Sequence, residues 1–197
     1  MPRRRDKQPF FTIGHSNRSL AGFIALLSEA GIGLLADIRR IPGSRANPQF
    51  NEDTLPEALE TAGISYERIA ELGGRRARVR TVPPDINGFW TNQSFHNYAD
   101  YALSPEFRAG LERLLEQGAR ERCAIMCSEA VWWRCHRRIV ADHLIARGAE
   151  VFHIMGRHRM EPARLTEGAV VVAGRPVVYP VRHDAPVSAI RSIRSTT

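Results

Sequence analysis

The chain has 197 residues, 43% of them apolar and 25% charged, which is ordinary for a globular protein and enough for one domain with a sizeable core. No stretch approaches the roughly 20 consecutive apolar residues of a membrane helix, and the N-terminus lacks the apolar segment of a secretory signal. These features exclude a membrane span and predict a cytoplasmic protein with no membrane partner.

The net charge points to anionic partners. The formal charge is +7, and Lys7 is the one lysine among 28 basic residues. Arginine binds phosphate and carboxylate groups through its planar fork. The excess of arginine over lysine also arises where a GC-rich coding bias replaces lysine by arginine on solvated surfaces. An anionic small molecule and nucleic acid are therefore candidate partners, the coding bias remains an alternative, and the oligomeric state is left open.

Strand-length apolar runs alternate with amphipathic segments along the chain. Strands are predicted over 10–14, 33–38, 64–69, 122–127 and 150–154. Helices are predicted over 19–30, 52–62, 94–117 and 135–147, the third interrupted at Ser104-Pro105, where serine caps and proline opens a new helix. Each of the last four strands follows a glycine suited to the left-handed position after a helix. This alternation predicts one α/β domain with a mostly parallel sheet and helices on both faces.

Four other segments depart from this alternation. Turn residues between 73 and 93 predict a long, arginine-rich loop. Two β-rich runs within 169–180 predict a small C-terminal β-hairpin. A disordered basic tail is expected over 1–9 and a flexible tail over 184–197, so the domain is predicted to span 10–183.

Reactive side chains follow three of the predicted strands. Because parallel strands end at one edge of a sheet, where open α/β proteins bind ligands, we expect these side chains to share a pocket. The residues concerned are His15 and Ser16 after the first strand, Asp37, Arg39 and Ser44 after the second, and Cys127, Glu129, Cys135, His136 and Arg137 after the fourth.

Cys127 is the strongest candidate nucleophile of the three cysteines. It ends a strand, and the amides of the following helix together with nearby arginines favour a thiolate. Two structural alternatives stay open: the cysteine can be a small buried apolar residue, and Asp37 can form an ion pair with Arg39. The candidate acids and bases around the thiol are Glu129, His136, His15 and Asp37.

A metal site is the alternative to thiol chemistry. Cys127, Cys135 and His136 are candidate ligands, and a divalent metal would suit them. Their C-x7-C-H spacing matches no standard structural zinc pattern, so the cofactor stays undetermined. Three cysteines crowded into one stretch also predict reduced thiols rather than a disulfide framework.

Arginines are the main candidates for substrate binding. The cluster at 75–80 is followed by aromatic residues, a pattern typical of grooves for single-stranded nucleic acid, although a solvated loop backed by core aromatics gives the same pattern. The candidate substrate-binding residues are Ser16, Arg39, Ser44, Arg75, Arg76 and Arg137.

The motifs together resemble a known family. They are T-I-G-H-S-N-R-S at 12–19, A-D-I-R-R-I-P-G-S-R at 36–45, the L-G-G at 72–74, and M-C-S-E-A-V-W-W-R-C-H-R-R at 126–138. This combination resembles the bacterial and archaeal family catalogued as domain of unknown function 488. The resemblance implies a compact cytoplasmic α/β protein with its polar motifs at one sheet edge. It implies no particular reaction.

Two classes of function follow from these residues. The first is a cysteine- or metal-dependent enzyme that acts on an anionic, phosphate-bearing or nucleic-acid-related substrate. The second is a non-catalytic nucleic-acid-binding module that uses the arginine-rich loop. A phosphatase-type C-x5-R loop is absent, because Trp133 occupies the sixth position after Cys127.

Overall fold

The computed structural model describes residues 8–172 and 174–181. Over these residues the chain forms six strands and five helices. The strands are β1 (Phe10–Gly14), β2 (Leu34–Asp37), β3 (Ser65–Arg68), β4 (Cys123–Cys127), β5 (Val151–Gly156) and β6 (Arg159–Pro162). The helices are α1 (Leu20–Glu29), α2 (Leu55–Thr61), α3 (Gln93–Tyr101), α4 (Pro105–Gly118) and α5 (Arg137–Ala146). The predicted tail at 184–197 lies outside the described residues, as does all but the last part of the tail at 1–9.

The strands form one sheet in the order β3-β2-β4-β1-β5-β6. The first five strands are parallel, and β6 pairs with β5 in the antiparallel direction. The prediction of a single α/β domain with a mostly parallel sheet is therefore confirmed. Within the described part of the chain, no helix is long and apolar enough to cross a membrane.

Local sequence signals explain where the helices begin and end. The hydroxyl of Ser19 accepts a hydrogen bond from the Gly22 amide, and Ser104 caps α4 in the same way with Pro105 at its first position. Gly31 has a φ of 65° just past α1, as the sequence predicts. Gly118 differs, because it ends α4 in helical conformation and its missing side chain makes room for the Phe10 ring.

Helices cover both faces of the sheet, and successive strand residues alternate between two apolar clusters. In β4, Ile125 packs with one cluster and Met126 with the other. One face is covered by α1 and α2, and the opposite face by α3, α4 and α5. Both clusters exclude water from the sheet. Thr12 in β1 and His153 in β5 are buried polar residues inside the sheet, and they are hydrogen-bonded to each other at 2.8 Å.

Two C-terminal features differ from the sequence prediction. The hairpin within the sheet is formed by β5 and β6. The sequence of β6, R-M-E-P, contains no β-branched or aromatic residue. At 169–180 the two β-rich runs are joined by one antiparallel bridge, between Val170 and Val178. Residues 73–92 contain no helix or strand, and α3 begins at Gln93, within the segment 73–93 expected to form the arginine-rich loop.

The connections around β4 open a crevice at the carboxyl edge. This strand lies between β1 and β2, which continue into α1 and α2 on one face of the sheet. The chain leaving β4 instead runs to α5 on the other face. Ligands of open α/β proteins bind where neighbouring connections diverge in this way. The topology thus directs attention to the residues that follow β1, β2 and β4.

Candidate active site

A cleft of about 750 Å³ opens at this edge of the sheet. Most of the predicted site residues line it, namely His15, Ser16, Arg39, Ser44, Arg75, Cys127, Glu129, Cys135 and His136. Asp37, Arg76 and Arg137 do not, and their positions are described below.

Two thiols and one imidazole form a cluster in the cleft. Cys127 ends β4, and a 3₁₀ helix at Trp132–Arg134 returns the chain so that Cys135 and His136 lie beside it. The Nδ1 atom of His136 is 3.9 Å from Sγ of Cys127 and 3.7 Å from Sγ of Cys135. The three atoms all lie within 4.8 Å of one another. The three side chains form a Cys/His cluster whose ligand atoms are close enough together to contact one metal ion.

The imidazole of His136 is held in a defined orientation. Its Nε2 donates to the carbonyl oxygen of Ile38, just past β2, at 3.1 Å. Nε2 therefore carries the ring proton, and the lone pair of Nδ1 faces the thiols. Tyr98 packs edge-on against the ring at 4.9 Å, and a Cβ added to Gly74 would lie 2.7 Å from Nδ1.

Arg137 lies beneath the cleft, and the prediction that it binds substrate is not supported by its position. The side chain is 1% exposed. Its Nε donates to Sγ of Cys135 at 3.3 Å, and its Nη2 donates to the carbonyl oxygen of Glu129 at 2.6 Å. These two contacts connect the guanidinium to the segment that carries the cluster, at Cys135 and at Glu129.

The two thiols of the cluster differ in acidity. Burial raises the pKa of Cys135, but a hydrogen bond from Cys127 and the nearby Arg137 guanidinium outweigh it and lower the pKa to about 6. The hydrogen bond to Cys135, together with burial, raises the pKa of Cys127 to about 12. Arg137 donates directly to Sγ of Cys135, and this contact favours negative charge on that sulfur.

Asp37 is a structural partner of Arg39 and does not reach the cleft. The carboxylate is completely buried and accepts hydrogen bonds from the Arg39 guanidinium, with a shortest N–O distance of 2.6 Å. It also accepts from the hydroxyl of Tyr66 at 2.8 Å. Because these donors occupy both oxygens, the prediction that Asp37 is catalytic gives way to the alternative ion pair, which fixes Arg39 in the wall of the cleft.

His15 uses both ring nitrogens in contacts with the protein. Nδ1 donates to the carbonyl oxygen of Ser16 at 2.8 Å, and Nε2 lies 3.4 Å from Nη1 of Arg39 as an acceptor. The ring stacks on Phe50 at 4.4 Å. Burial lowers the pKa of His15, so the imidazole is neutral at neutral pH. It can therefore accept a proton in the cleft only if Arg39 moves away.

Exposed arginines surround the mouth of the cleft. Arg40, Arg75 and Arg134 line it with solvent-exposed side chains, and Nη1 of Arg40 holds the carbonyl oxygen of Arg75 at 2.6 Å. Arg76 is different, because its guanidinium lies 3.7 Å from the Tyr101 ring centre and donates to the Gly73 carbonyl. The prediction of Arg76 as a substrate-binding residue is not supported by this placement.

Ser16 and Ser44 both line the cleft. Ser16 has a φ of 50° and its amide donates to the carbonyl oxygen of Ser128, which joins the β1 and β4 ends. The hydroxyl of Ser44 accepts from the Asn47 amide. Gly14 permits the close approach of these ends, because a Cβ there would collide with the Glu129 carbonyl.

Several cleft residues were not identified as site residues from the sequence. Phe95 and Tyr98 form an apolar wall, and their only sequence signal is the aromatic pattern after the arginine-rich loop. Gly74 lies against His136, and the L-G-G motif at 72–74 marks it. Arg40 and Arg134 sit next to predicted site residues, but nothing in the sequence tells an arginine at the rim from one in the wall.

The chain matches a family of known proteins. The family described as Domain of unknown function DUF488 matches residues 19–144, which include the second strand, the cysteine cluster and most of α5. No curated protein and no solved structure matches the chain significantly. The family match covers more than half of the chain, and its span contains every residue of the Cys/His cluster. The chain therefore belongs to the DUF488 family.

Proposed function

We propose that this protein is an enzyme that acts on an anionic, phosphate-bearing substrate in the cleft at the carboxyl edge of the sheet. One observation carries the proposal: exposed arginines, Arg40, Arg75 and Arg134, share a single cleft with the Cys/His cluster. Arginines bind and orient a phosphate group, and a cysteine or a cluster-bound metal supplies reactive chemistry beside it.

The charge of the cleft supports an anionic ligand. Glu129 contributes the one carboxylate among the described lining residues. The charge of Arg39 is compensated by Asp37, which leaves the three exposed arginines in excess over Glu129. A cleft with low-dielectric walls and an excess of one charge concentrates ligands of the opposite charge.

The aromatic wall supports an organic substrate rather than a free inorganic ion. Phe95 lines the cleft and stacks on Trp90 with ring centres 4.9 Å apart, which fixes its orientation. Small-molecule sites usually combine such apolar surfaces with a few charged groups. A nucleotide, with a planar base and a phosphate, has this combination of properties.

The proposal is tested by binding and turnover with the same protein. Nucleoside monophosphates and a short oligonucleotide are titrated by calorimetry, and phosphorus NMR follows conversion of each ligand. We expect binding that weakens in Arg40→Gln, Arg75→Gln and Arg134→Gln, together with conversion of at least one ligand that disappears in Cys135→Ser. Arg120→Gln is the matched control, because Arg120 is exposed and lies before β4, at the opposite edge of the sheet.

The outcomes separate the two classes of function. Conversion of a phosphate-bearing ligand that depends on the rim arginines and on Cys135 supports the enzyme. Salt-dependent binding of the oligonucleotide without conversion of any ligand contradicts it and supports the nucleic-acid-binding module. An equal loss of affinity in Arg120→Gln would show that binding depends on net charge and not on the cleft.

A further inference from the structure

We propose that Cys127, Cys135 and His136 bind one Zn²⁺ ion, with the fourth coordination position open to the cleft. The inference goes beyond the proposed function and does not depend on it, since metal binding requires no substrate. It is carried by the arrangement of the three ligand atoms and by the groups that hold them.

The distances within the cluster fit tetrahedral zinc. Zinc bonds of about 2.3 Å to sulfur and about 2.05 Å to nitrogen place a sulfur and a nitrogen ligand about 3.6 Å apart. The two sulfur-to-nitrogen distances in the structure are 3.7 and 3.9 Å. The two sulfurs lie within 4.8 Å of each other, against about 3.8 Å for two sulfurs on one tetrahedral zinc. Movements of at most about an ångström therefore bring all three atoms to bonding distance from a common centre.

The second ring nitrogen of His136 is engaged as in metal-bound histidines. Histidine ligands usually donate their other N–H to a carbonyl or carboxylate, which fixes the tautomer and the ring plane. In this protein Nε2 donates to the Ile38 carbonyl, so Nδ1 presents a lone pair to the thiols before any ion arrives. The imidazole is thus already oriented as a ligand.

The donor set selects a thiophilic ion. Two thiolates and a neutral imidazole suit Zn²⁺, whereas Mg²⁺ and Ca²⁺ prefer oxygen. Two thiolates also neutralise the charge of the ion. Arg137 donates to Sγ of Cys135 at 3.3 Å, a contact that stabilises sulfur in its negatively charged form.

The coordination would be incomplete, as it is in catalytic rather than structural zinc sites. Within the part of the chain that the structure describes, the cluster contains these three ligands and no fourth. All three residues line the cleft, so the remaining position is reached from there. Structural zinc sites are closed by four protein ligands, whereas catalytic sites keep one position for water or substrate.

The backbone leaves room beside the ligating nitrogen. Gly74 packs against His136, where a Cβ would lie only 2.7 Å from Nδ1. This contact comes from the L-G-G segment and is independent of the cysteine-containing segment. It keeps the approach to Nδ1 free of side-chain atoms.

The experiment is a Co²⁺ titration of the full chain after removal of bound metal by a chelator, under a thiol-free reductant. Thiol titration first verifies three reduced cysteines, and circular dichroism verifies folding. We expect one Co²⁺ per chain, with a sulfur-to-cobalt charge-transfer band and the intense visible bands of tetrahedral cobalt, both removed by one equivalent of Zn²⁺. Each of Cys127→Ser, Cys135→Ser and His136→Gln should weaken Zn²⁺ binding by more than the roughly 100-fold that loss of an outer-shell partner can cost.

Cys123→Ala is the matched control, because Cys123 is buried in β4 outside the cluster. It should keep the wild-type spectrum and stoichiometry. A folded, reduced wild-type chain without the charge-transfer band overturns the inference, as does a band that survives in Cys135→Ser. If the ligand variants do not fold, the spectra of the wild-type chain and of Cys123→Ala decide whether the cluster binds the metal. Binding and conversion of nucleotides, measured on the metal-free and on the Zn²⁺-loaded chain, test the proposed function separately, so either claim can fail alone.

Discussion

Arg75 and Arg76 are neighbours in the sequence but lie in opposite surroundings. Arg75 lines the cleft, whereas the guanidinium of Arg76 lies 3.7 Å from the centre of the Tyr101 ring. The left-handed backbone at Arg75, with φ 56°, turns the chain between them. Two residues that look equivalent in the sequence therefore have different expected roles.

Replacing each arginine by glutamine should separate these roles. Arg75→Gln should weaken nucleotide or oligonucleotide binding and lower the salt dependence of the binding constant by about one unit of slope. Arg76→Gln should leave affinity unchanged and lower the free energy of unfolding by about 1 to 2 kcal/mol, because it loses the ring contact and backbone hydrogen bonds. Equal losses of affinity in the two variants would contradict the assignment.

Gly74→Ala should impair the Cys/His cluster without removing a ligand. The new methyl group would lie 2.7 Å from His136 Nδ1, so the imidazole must shift from the sulfurs. We expect weaker Co²⁺ and Zn²⁺ binding by spectroscopic titration. Gly43→Ala is the control in the same cleft, since a Cβ there meets nothing within 4 Å. Unchanged metal affinity in Gly74→Ala would show that the ring has room to move.

Asp37→Asn should destabilise the fold strongly. It leaves the Arg39 guanidinium, 5% exposed, without its charged partner. Removing one partner of a buried ion pair costs about 3 to 5 kcal/mol. The control is Glu52→Gln, which breaks the exposed pair with Arg68 and should cost less than about 1 kcal/mol. Urea unfolding of both variants measures the difference, and similar losses would argue against a structural role for Asp37.

His143 should make the protein sensitive to acid. Burial lowers its pKa to about 4, whereas an unfolded histidine titrates near 6.5. Between pH 6.5 and pH 4, His143 binds a proton in the unfolded chain but not in the folded chain. The stability that is present above pH 6.5 is therefore lost as the pH falls toward 4. The full effect is about 3 kcal/mol.

Unfolding measured from pH 4 to pH 7 checks this pH dependence. In His143→Leu the slope of stability against pH should shrink, since the side chain packs against Phe107 and a leucine fits the same apolar cluster. A wild-type slope in His143→Leu would assign the acid sensitivity to other groups.

The periodic segments made the fold predictable, because glycines and capping residues mark the helix ends and apolar runs mark the buried strands. The convergence of His15, Arg39 and Cys127 followed from the rule that parallel strands end at one edge. Strand β6 could not be predicted, because it contains no β-branched or aromatic residue and it pairs with β5 through backbone hydrogen bonds.

The roles within the site were less predictable, since they depend on distances. The sequence places Arg137 near both cysteines, but only the structure shows that its Nε contacts Cys135. Likewise, spacing alone left Asp37 equally suited to catalysis and to an ion pair, and its burial under Tyr66 decided between them. Long-range packing, which has no local sequence signal, set both outcomes.

The most direct test of the account is an anomalous diffraction measurement at the zinc absorption edge, on crystals grown with Zn²⁺ and a nucleotide. The account predicts one zinc peak about 2.3 Å from Sγ of Cys127 and Cys135 and about 2.0 to 2.1 Å from Nδ1 of His136, with the phosphate bound by Arg40, Arg75 or Arg134. A zinc ion bound elsewhere with the cluster empty, or a phosphate bound away from these arginines, would contradict it.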